Sequence, residues 1–169
     1  MISAKAGTWG SSHDRSARLP GMPSLVFVCS GNICRSPMAE LVFRAKLADA
    51  VRVSSAGTGP WHAGDPADRR ARATLKAHGY PTAHVAAQVS DEDLEADLLL
   101  AADEGHLDYL LSRVEDPARV RLLRSFDPSA PEGAEVPDPY YGGDDGFEDV
   151  LAMIERTVPG LLDWVREHQ

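Results

Sequence analysis

The strongest constraint on this chain is the passage from Leu25 to Pro37. Four consecutive apolar residues, Leu25-Val26-Phe27-Val28, are followed by a loop containing Gly31 and then by Ser36-Pro37. A short, partly β-branched apolar run bounded by a glycine loop is the signature of a buried strand. Ser36 is a good N-cap, and Pro37 stands where the first helical turn tolerates proline, so a helix is predicted from Pro37 to about Ala48. Strand, glycine loop and helix in that order open a βαβ unit, which commits the chain to a parallel sheet.

The alternation continues downstream. Strands are predicted at Val51 to Ser54, Leu98 to Ala101 and Val120 to Leu123, with helices at Pro66 to His78, stopped by Gly79, and at Glu104 to Val114. A last helical pattern places Phe147, Val150, Leu151, Ile154, Val158, Leu161, Leu162 and Val165 on one face, with Pro159 expected to kink or break it. The expected fold is α/β: a single doubly wound domain over residues 24–169, with a four-stranded parallel sheet and helices on both faces. Residues 1–23 show no period of 2 or 3.6 and no continuous apolar core of a signal peptide. They are expected to form a disordered tail without a catalytic role, with Met22 a candidate initiator.

Charge excludes several functions. Lys and Arg total 17 against 26 Asp and Glu, a net charge of -9, which is the wrong sign for holding nucleic acid through its phosphates. No apolar run approaches the roughly 20 residues of a membrane helix, so no membrane insertion is expected. Two cysteines, Cys29 and Cys34, suit intracellular thiols and a cytoplasmic protein, and are too few for a disulfide scaffold or a four-cysteine zinc site. No metal and no cofactor is expected.

The chemistry lies in the loop itself, Cys29-Ser30-Gly31-Asn32-Ile33-Cys34-Arg35-Ser36. Backbone N–H groups of a loop entering a helix can converge on an oxyanion, and the helix dipole adds to them. Arg35 would close the nest with a fork that bonds two phosphate oxygens. The same field favours the thiolate of Cys29 and makes it a nucleophile. A Walker-type nucleotide loop would need Gly-Lys-Ser/Thr, which is absent. Taken singly, Cys29 is a small core residue and Asn32 a turn former; their combination at a strand C-terminus, where open α/β sheets bind ligands, favours function. A phosphate ester also needs its leaving group protonated. Ser125 to Glu155 holds nine carboxylates and no basic residue, mostly a solvated acidic face, but Asp138 precedes Pro139, Tyr140 and Tyr141. An acid beside aromatic rings and a bound dianion suits a general acid with a raised pKa.

The run from Phe27 to Glu40, together with Asp138-Pro139-Tyr140-Tyr141-Gly142, resembles the low-molecular-weight protein tyrosine phosphatases, in their bacterial form. The likeness extends over Ser24 to Gln169, including Ser55-Ala56-Gly57-Thr58, Trp61 and His78-Gly79-Tyr80-Pro81. It implies a metal-independent enzyme that hydrolyses phosphotyrosine proteins through a phosphocysteine on Cys29. Arg35 would bind the phosphoryl oxygens, and Asp138 would protonate the leaving phenolate and then deprotonate water. Ser36 would donate to the Cys29 thiolate, and Asn32 would hold the loop, with Ser30, Gly31, Ile33 and Cys34, through a network with Ser36, Ser55 and His78. Trp61, Tyr140 and Tyr141 would line an aryl slot. Cys34 is the expected redox partner of Cys29, and the expected species is a monomer.

Three other readings share the loop. An arsenate reductase would relay oxidation through later cysteines, and none follows Cys34. A protein-arginine phosphatase carries Thr where Ile33 stands. A catalytically idle phosphate-binding module would lack Cys29, Arg35 or Asp138.

Overall fold

The computed structural model describes residues 22–169; the expectation of a disordered tail falls, for residues 1–21, outside the described residues. Pro23, assigned to the tail from sequence, is buried, and its carbonyl accepts from Arg52 N at 2.9 Å. The folded edge therefore begins before Ser24.

Four strands, β1 (Ser24–Cys29), β2 (Arg52–Gly57), β3 (Leu98–Ala101) and β4 (Val120–Leu122), form one parallel sheet in the order β2-β1-β3-β4. Among the described residues four α-helices accompany them: α1 (Arg35–Leu47), α2 (Arg69–Ala77), α3 (Glu104–Leu111) and α4 (Asp144–Glu167). Successive residues of β1 point to opposite faces, which is why the strand reads as a continuous apolar run. Leu25, Phe27 and Cys29 join a core with residues of α1 and α4, whereas Val26 and Val28 join a second core with Leu99, Leu110 and Val120. The doubly wound arrangement expected from sequence is the one observed.

Local chemistry moves several boundaries. Helix α1 starts at Arg35, and its N-cap Cys34 makes no side-chain capping bond; Ser36 lies inside the first turn with its hydroxyl committed elsewhere. Helix α2 starts later than Pro66 because the Asp68 carboxylate caps Arg70 N, and Gly79 ends the turn beyond it at φ 82°. Pro159 does not break α4. It is exposed, so the hydrogen bond it cannot make is lost on the solvent side, while Ile154, Leu161 and Val165 stay fully buried on the other. Gly160 permits this packing, since a Cβ there would lie 2.4 Å from the Phe126 carbonyl oxygen.

The order of strands decides where the site falls. β1 sits between β2 and β3, so the chain leaves it in one direction and β3 adjoins it on the other side. A crevice opens at the carboxyl ends of strands at such a reversal. There the loops after β1 and β3 meet, although they are far apart in sequence. Among the described residues, no helix is long and apolar enough to cross a membrane.

Candidate active site

The loop after β1 curls from Cys29 to Arg35 over the N-terminus of α1. Cys29 is 2% exposed, and its Sγ lies 3.4 Å from Ser36 N and 2.9 Å from Ser36 Oγ. The neighbours of Ser36 leave its hydroxyl able to donate in that second contact. Asn32 Nδ2 donates to Ser36 Oγ at 2.7 Å and to Ser55 Oγ at 2.9 Å. Ser55 in turn donates to Glu40 Oε1 at 2.5 Å, a carboxylate oxygen that can only accept. Asn32 fills one lone pair of the Ser36 hydroxyl, whose own proton is free to point at Cys29 Sγ. The Ser36 amide and hydroxyl thus both face the sulfur.

Asn32 is held on every side because its backbone is in the left-handed region, at φ 59°. Asparagine adopts this conformation more readily than other side-chain-bearing residues, at some energetic cost. Its Oδ1 accepts from Ala87 N at 3.0 Å, and its carbonyl accepts from His84 Nε2 at 2.9 Å. Gly57, at the end of β2, lets the loop approach this closely: a Cβ there would stand 2.7 Å from the Ser30 carbonyl oxygen. Glu40 stays ionised within the network. Burial alone would raise its pKa, but His84, Arg44 and Ser55 together hold it below the ordinary value.

His78 is not part of this network, contrary to the sequence expectation. It ends α2 at the surface, where Nε2 lies 2.8 Å from Glu148 Oε1. His84 takes the place instead, its side chain 3% exposed and Nδ1 3.7 Å from Glu40. The segment from Pro81 to Ser90 alternates between more and less exposed residues, so His84 turns inward and Val85 outward. The sequence carried no signal for this, since a polar histidine turns inward and its apolar neighbour Val85 outward.

Arg35 is 5% exposed, and its orientation is fixed by residues that the sequence did not single out. Nη1 donates to Asp103 Oδ2 at 3.0 Å and to the Val136 carbonyl at 3.0 Å; Nη2 lies 3.6 Å from Asp138 Oδ2. Asp103 follows β3 and caps α3, so the switch in strand order brings it to the loop after β1. Burial would raise its pKa, but the His106 amide, and behind it His106 and Arg35, hold Asp103 below its ordinary value. Asp138 Oδ1 accepts from Tyr140 N at 3.0 Å, which closes a turn and aims the carboxylate at Arg35.

An open cleft of about 420 Å³ stands above Cys29 and Arg35. Ser30, Gly31, Ile33 and Cys34 form its floor with them, and Trp61, His62, Asp138, Tyr140 and Tyr141 form its walls. Trp61 is 69% exposed and Tyr141 88%, so flat apolar surface is presented at the mouth. His62 was not anticipated; its ring faces Tyr140 at 6.5 Å. The acidic face is partly countered there by Arg70, whose guanidinium lies 5.5 Å from the Tyr140 ring centroid. Cys34 is buried beside this floor, and burial with the nearby Asp68 charge raises its thiol pKa, leaving it protonated.

A buried cysteine faced by the Ser36 amide and hydroxyl, on a loop that leads through arginine into a helix of a doubly wound sheet, defines the class of cysteine-dependent phosphate-loop proteins. Residues 24–169 match the family described as low molecular weight phosphotyrosine protein phosphatase, and the chain belongs to that family. It is 56% identical over 149 residues to low molecular weight protein-tyrosine phosphatase A of Mycobacterium tuberculosis, covering 85% of this chain and 91% of that one. The human low molecular weight phosphotyrosine protein phosphatase is 39% identical over 150 residues, covering 83% and 94%. A crystal structure of protein tyrosine phosphatase from Entamoeba histolytica, with Hepes in the active site, superposes with a TM-score of 0.80 at 34% identity, covering 86% of this chain and 97% of that one.

Proposed function

We propose that this chain, a protein-tyrosine phosphatase by family, hydrolyses phosphotyrosine in proteins by the following division of labour. Cys29 Sγ attacks phosphorus, the ester oxygen leaves, and a phosphocysteine forms. Water then displaces the sulfur and releases phosphate. Supporting this reading above all is the pair of Ser36 donors on Cys29 Sγ, which favours a thiolate as attacking group and again as leaving group.

Arg35 supplies a planar cation at the rim of the loop, and its Nη1 tether to Asp103 and Val136 spares it the entropy of ordering when the dianion arrives. The loop amides and the N-terminus of α1 supply the remaining electrostatic stabilisation of the equatorial oxygens. Asp138 donates its proton to the leaving phenolate and later takes one from water, a role supported by its position on the cleft wall beside Arg35. Ile33, Trp61, Tyr140 and Tyr141 favour an aryl ester, since their surfaces can flank a ring. The substrate is met as a phosphoprotein, by a monomer in the cytoplasm, where Cys29 and Cys34 remain free thiols.

The direct test is hydrolysis of an aryl phosphate without added metal. The wild type is expected to be active and inhibited by vanadate, and Cys29→Ser to be inactive while still binding phosphate. Full activity in Cys29→Ser would sink the reading.

A further inference from the structure

Ser30 is the second residue of the phosphate loop, and the mechanism above leaves its side chain without a task. It lines the cleft between Cys29 and Gly31, and its Oγ lies 2.8 Å from His106 Nε2. The His106 side chain is 5% exposed and belongs to the first turn of α3.

The other ring nitrogen settles which atom carries the proton. Asp103 N donates to His106 Nδ1 at 3.3 Å, while Asp103 Oδ1 accepts from His106 N at 3.1 Å, a reciprocal capping box. A nitrogen that receives an N–H presents its lone pair, so the ring proton sits on Nε2, facing Ser30. The opposite tautomer would set Nδ1–H against the Asp103 amide hydrogen. It would gain only Asp103 Oδ1 at 3.1 Å, an oxygen that already accepts from the His106 amide. Ser30, His106 and Asp103 therefore do not form a proton-abstracting triad, because the nitrogen nearest the serine already holds a proton. The ring stays neutral at neutral pH, its pKa pushed by burial down to about 4 against the opposing pull of Asp103.

A serine oxygen that accepts from His106 must turn its own proton away from the ring. We propose that His106 is a positioning residue for the phosphate loop: by donating to Ser30 Oγ it aims the Ser30 O–H into the cleft, as a hydrogen-bond donor to a phosphoryl oxygen in addition to the loop amides and Arg35. The same capping box holds Arg35 through Asp103 Oδ2 at 3.0 Å. The first turn of α3 thus sets both ends of the loop, Ser30 near its start and Arg35 at its close. The proposal rests on the phosphate-binding reading of the site and needs no step of the hydrolysis.

Its test is calorimetric titration of the full chain with inorganic phosphate at neutral pH, using the wild type, Ser30→Ala, His106→Ala, the double variant and His106→Gln. One hydrogen bond to a charged ligand predicts a Kd about three- to tenfold higher in Ser30→Ala and in His106→Ala. The double variant is expected to lose no more than either single one, because the histidine acts through the serine. In His106→Gln the carboxamide oxygen can accept from Asp103 N while its nitrogen donates to Ser30, so binding is expected to return to within about twofold of wild type. A merely structural His106 would lower the Tm of His106→Ala and leave the phosphate Kd unchanged. Wild-type affinity in Ser30→Ala overturns the proposal, as does a double variant whose loss is the product of the two single losses. A wild type that does not bind phosphate overturns the reading of the site itself, and this proposal with it.

Discussion

Arg70 on α2 donates to the carbonyl of Tyr140 at 3.0 Å across a sequence separation of 70 residues. A second arm reaches the Gly142 carbonyl at 3.3 Å, and Asp68 holds the guanidinium from behind at 3.1 Å. The same group lies 4.7 Å from the Phe147 ring centroid, at the start of α4. The loop that carries Asp138 is therefore fastened to α2 by one side chain.

Removing that fastening is expected to displace Asp138, the proposed general acid, while leaving the loop after β1 intact. Arg70→Ala would lower kcat on phosphotyrosine by about tenfold, the order expected from a small misplacement of a reacting group. Inhibition by inorganic phosphate would change little. Arg70→Lys would recover only part of the loss, since an ammonium cannot span two carbonyls and a carboxylate as a planar fork does. Steady-state kinetics with phosphate inhibition check this; unchanged kcat in Arg70→Ala would show that the loop holds itself.

Asp138→Asn is expected to slow phosphotyrosine hydrolysis by roughly 10²–10⁴-fold, and a nitrophenyl ester less, because the better leaving group needs less protonation. The measurement is kcat against leaving-group pKa for both enzymes. Equal slowing of good and poor leaving groups would remove Asp138 from the role.

The two histidines that exchange places between sequence and structure separate cleanly. His84→Ala leaves the Asn32 carbonyl without its donor and is expected to cost about 1–3 kcal/mol of stability together with much of the activity. His78→Ala alters a surface pair and is expected to stay within about 0.5 kcal/mol of wild type, with normal kinetics. Urea unfolding and kcat/KM on both variants decide it, and a larger loss in His78→Ala would reverse the assignment.

Acid is expected to weaken the fold through His106. Its folded pKa is lowered, to about 4 against the ordinary 6.5, by burial first and then by Arg35, with Asp103, Asp138 and Glu135 pulling the other way. Between these values the unfolded chain binds a proton that the native state refuses, so stability is complete above about pH 6.5 and falls as the pH drops toward 4. Asp103 and Glu40 are held below their ordinary values, so their own losses belong to more acid conditions. The Tm of His106→Gln is expected to fall less than that of wild type across this window. Parallel Tm profiles would exclude His106 as the source.

Cys34 is expected to act under oxidation. Peroxide would convert the Cys29 thiolate to a sulfenic acid, and attack by the Cys34 sulfur would form a disulfide with loss of water, sparing Cys29 from irreversible oxides. Wild type is expected to regain most activity with dithiothreitol and Cys34→Ala far less. Equal recovery would leave Cys34 a packing residue.

Wherever neighbouring residues act together, the sequence was readable. The phosphate loop is a run of consecutive residues, and β3 was located to the residue, because an apolar stretch as short as Leu98–Ala101 admits little else. What could not be read depends on which strands become neighbours. Asp103 and His106 follow β3, and only the β1–β3 pairing brings them to the loop after β1. Val136 contributes a carbonyl, which no side-chain pattern reports. That Pro159 leaves α4 unbroken has a similar cause: the cost of proline in a helix depends on which side faces water, a property of the packed molecule.

The short strand β4 has a consequence for solubility. A parallel sheet with an open edge invites another chain to extend it by backbone pairing. Here that edge has only Val120–Leu122 to offer, with the exposed Arg121 at its centre, and at the far side all six residues of β2 are buried. Neither margin offers a long apolar strand for a second copy to continue. Among the described residues, Trp61 and Tyr141 at the cleft mouth are the most exposed large apolar side chains, so contact between copies through them would be felt first at the entrance to the cleft.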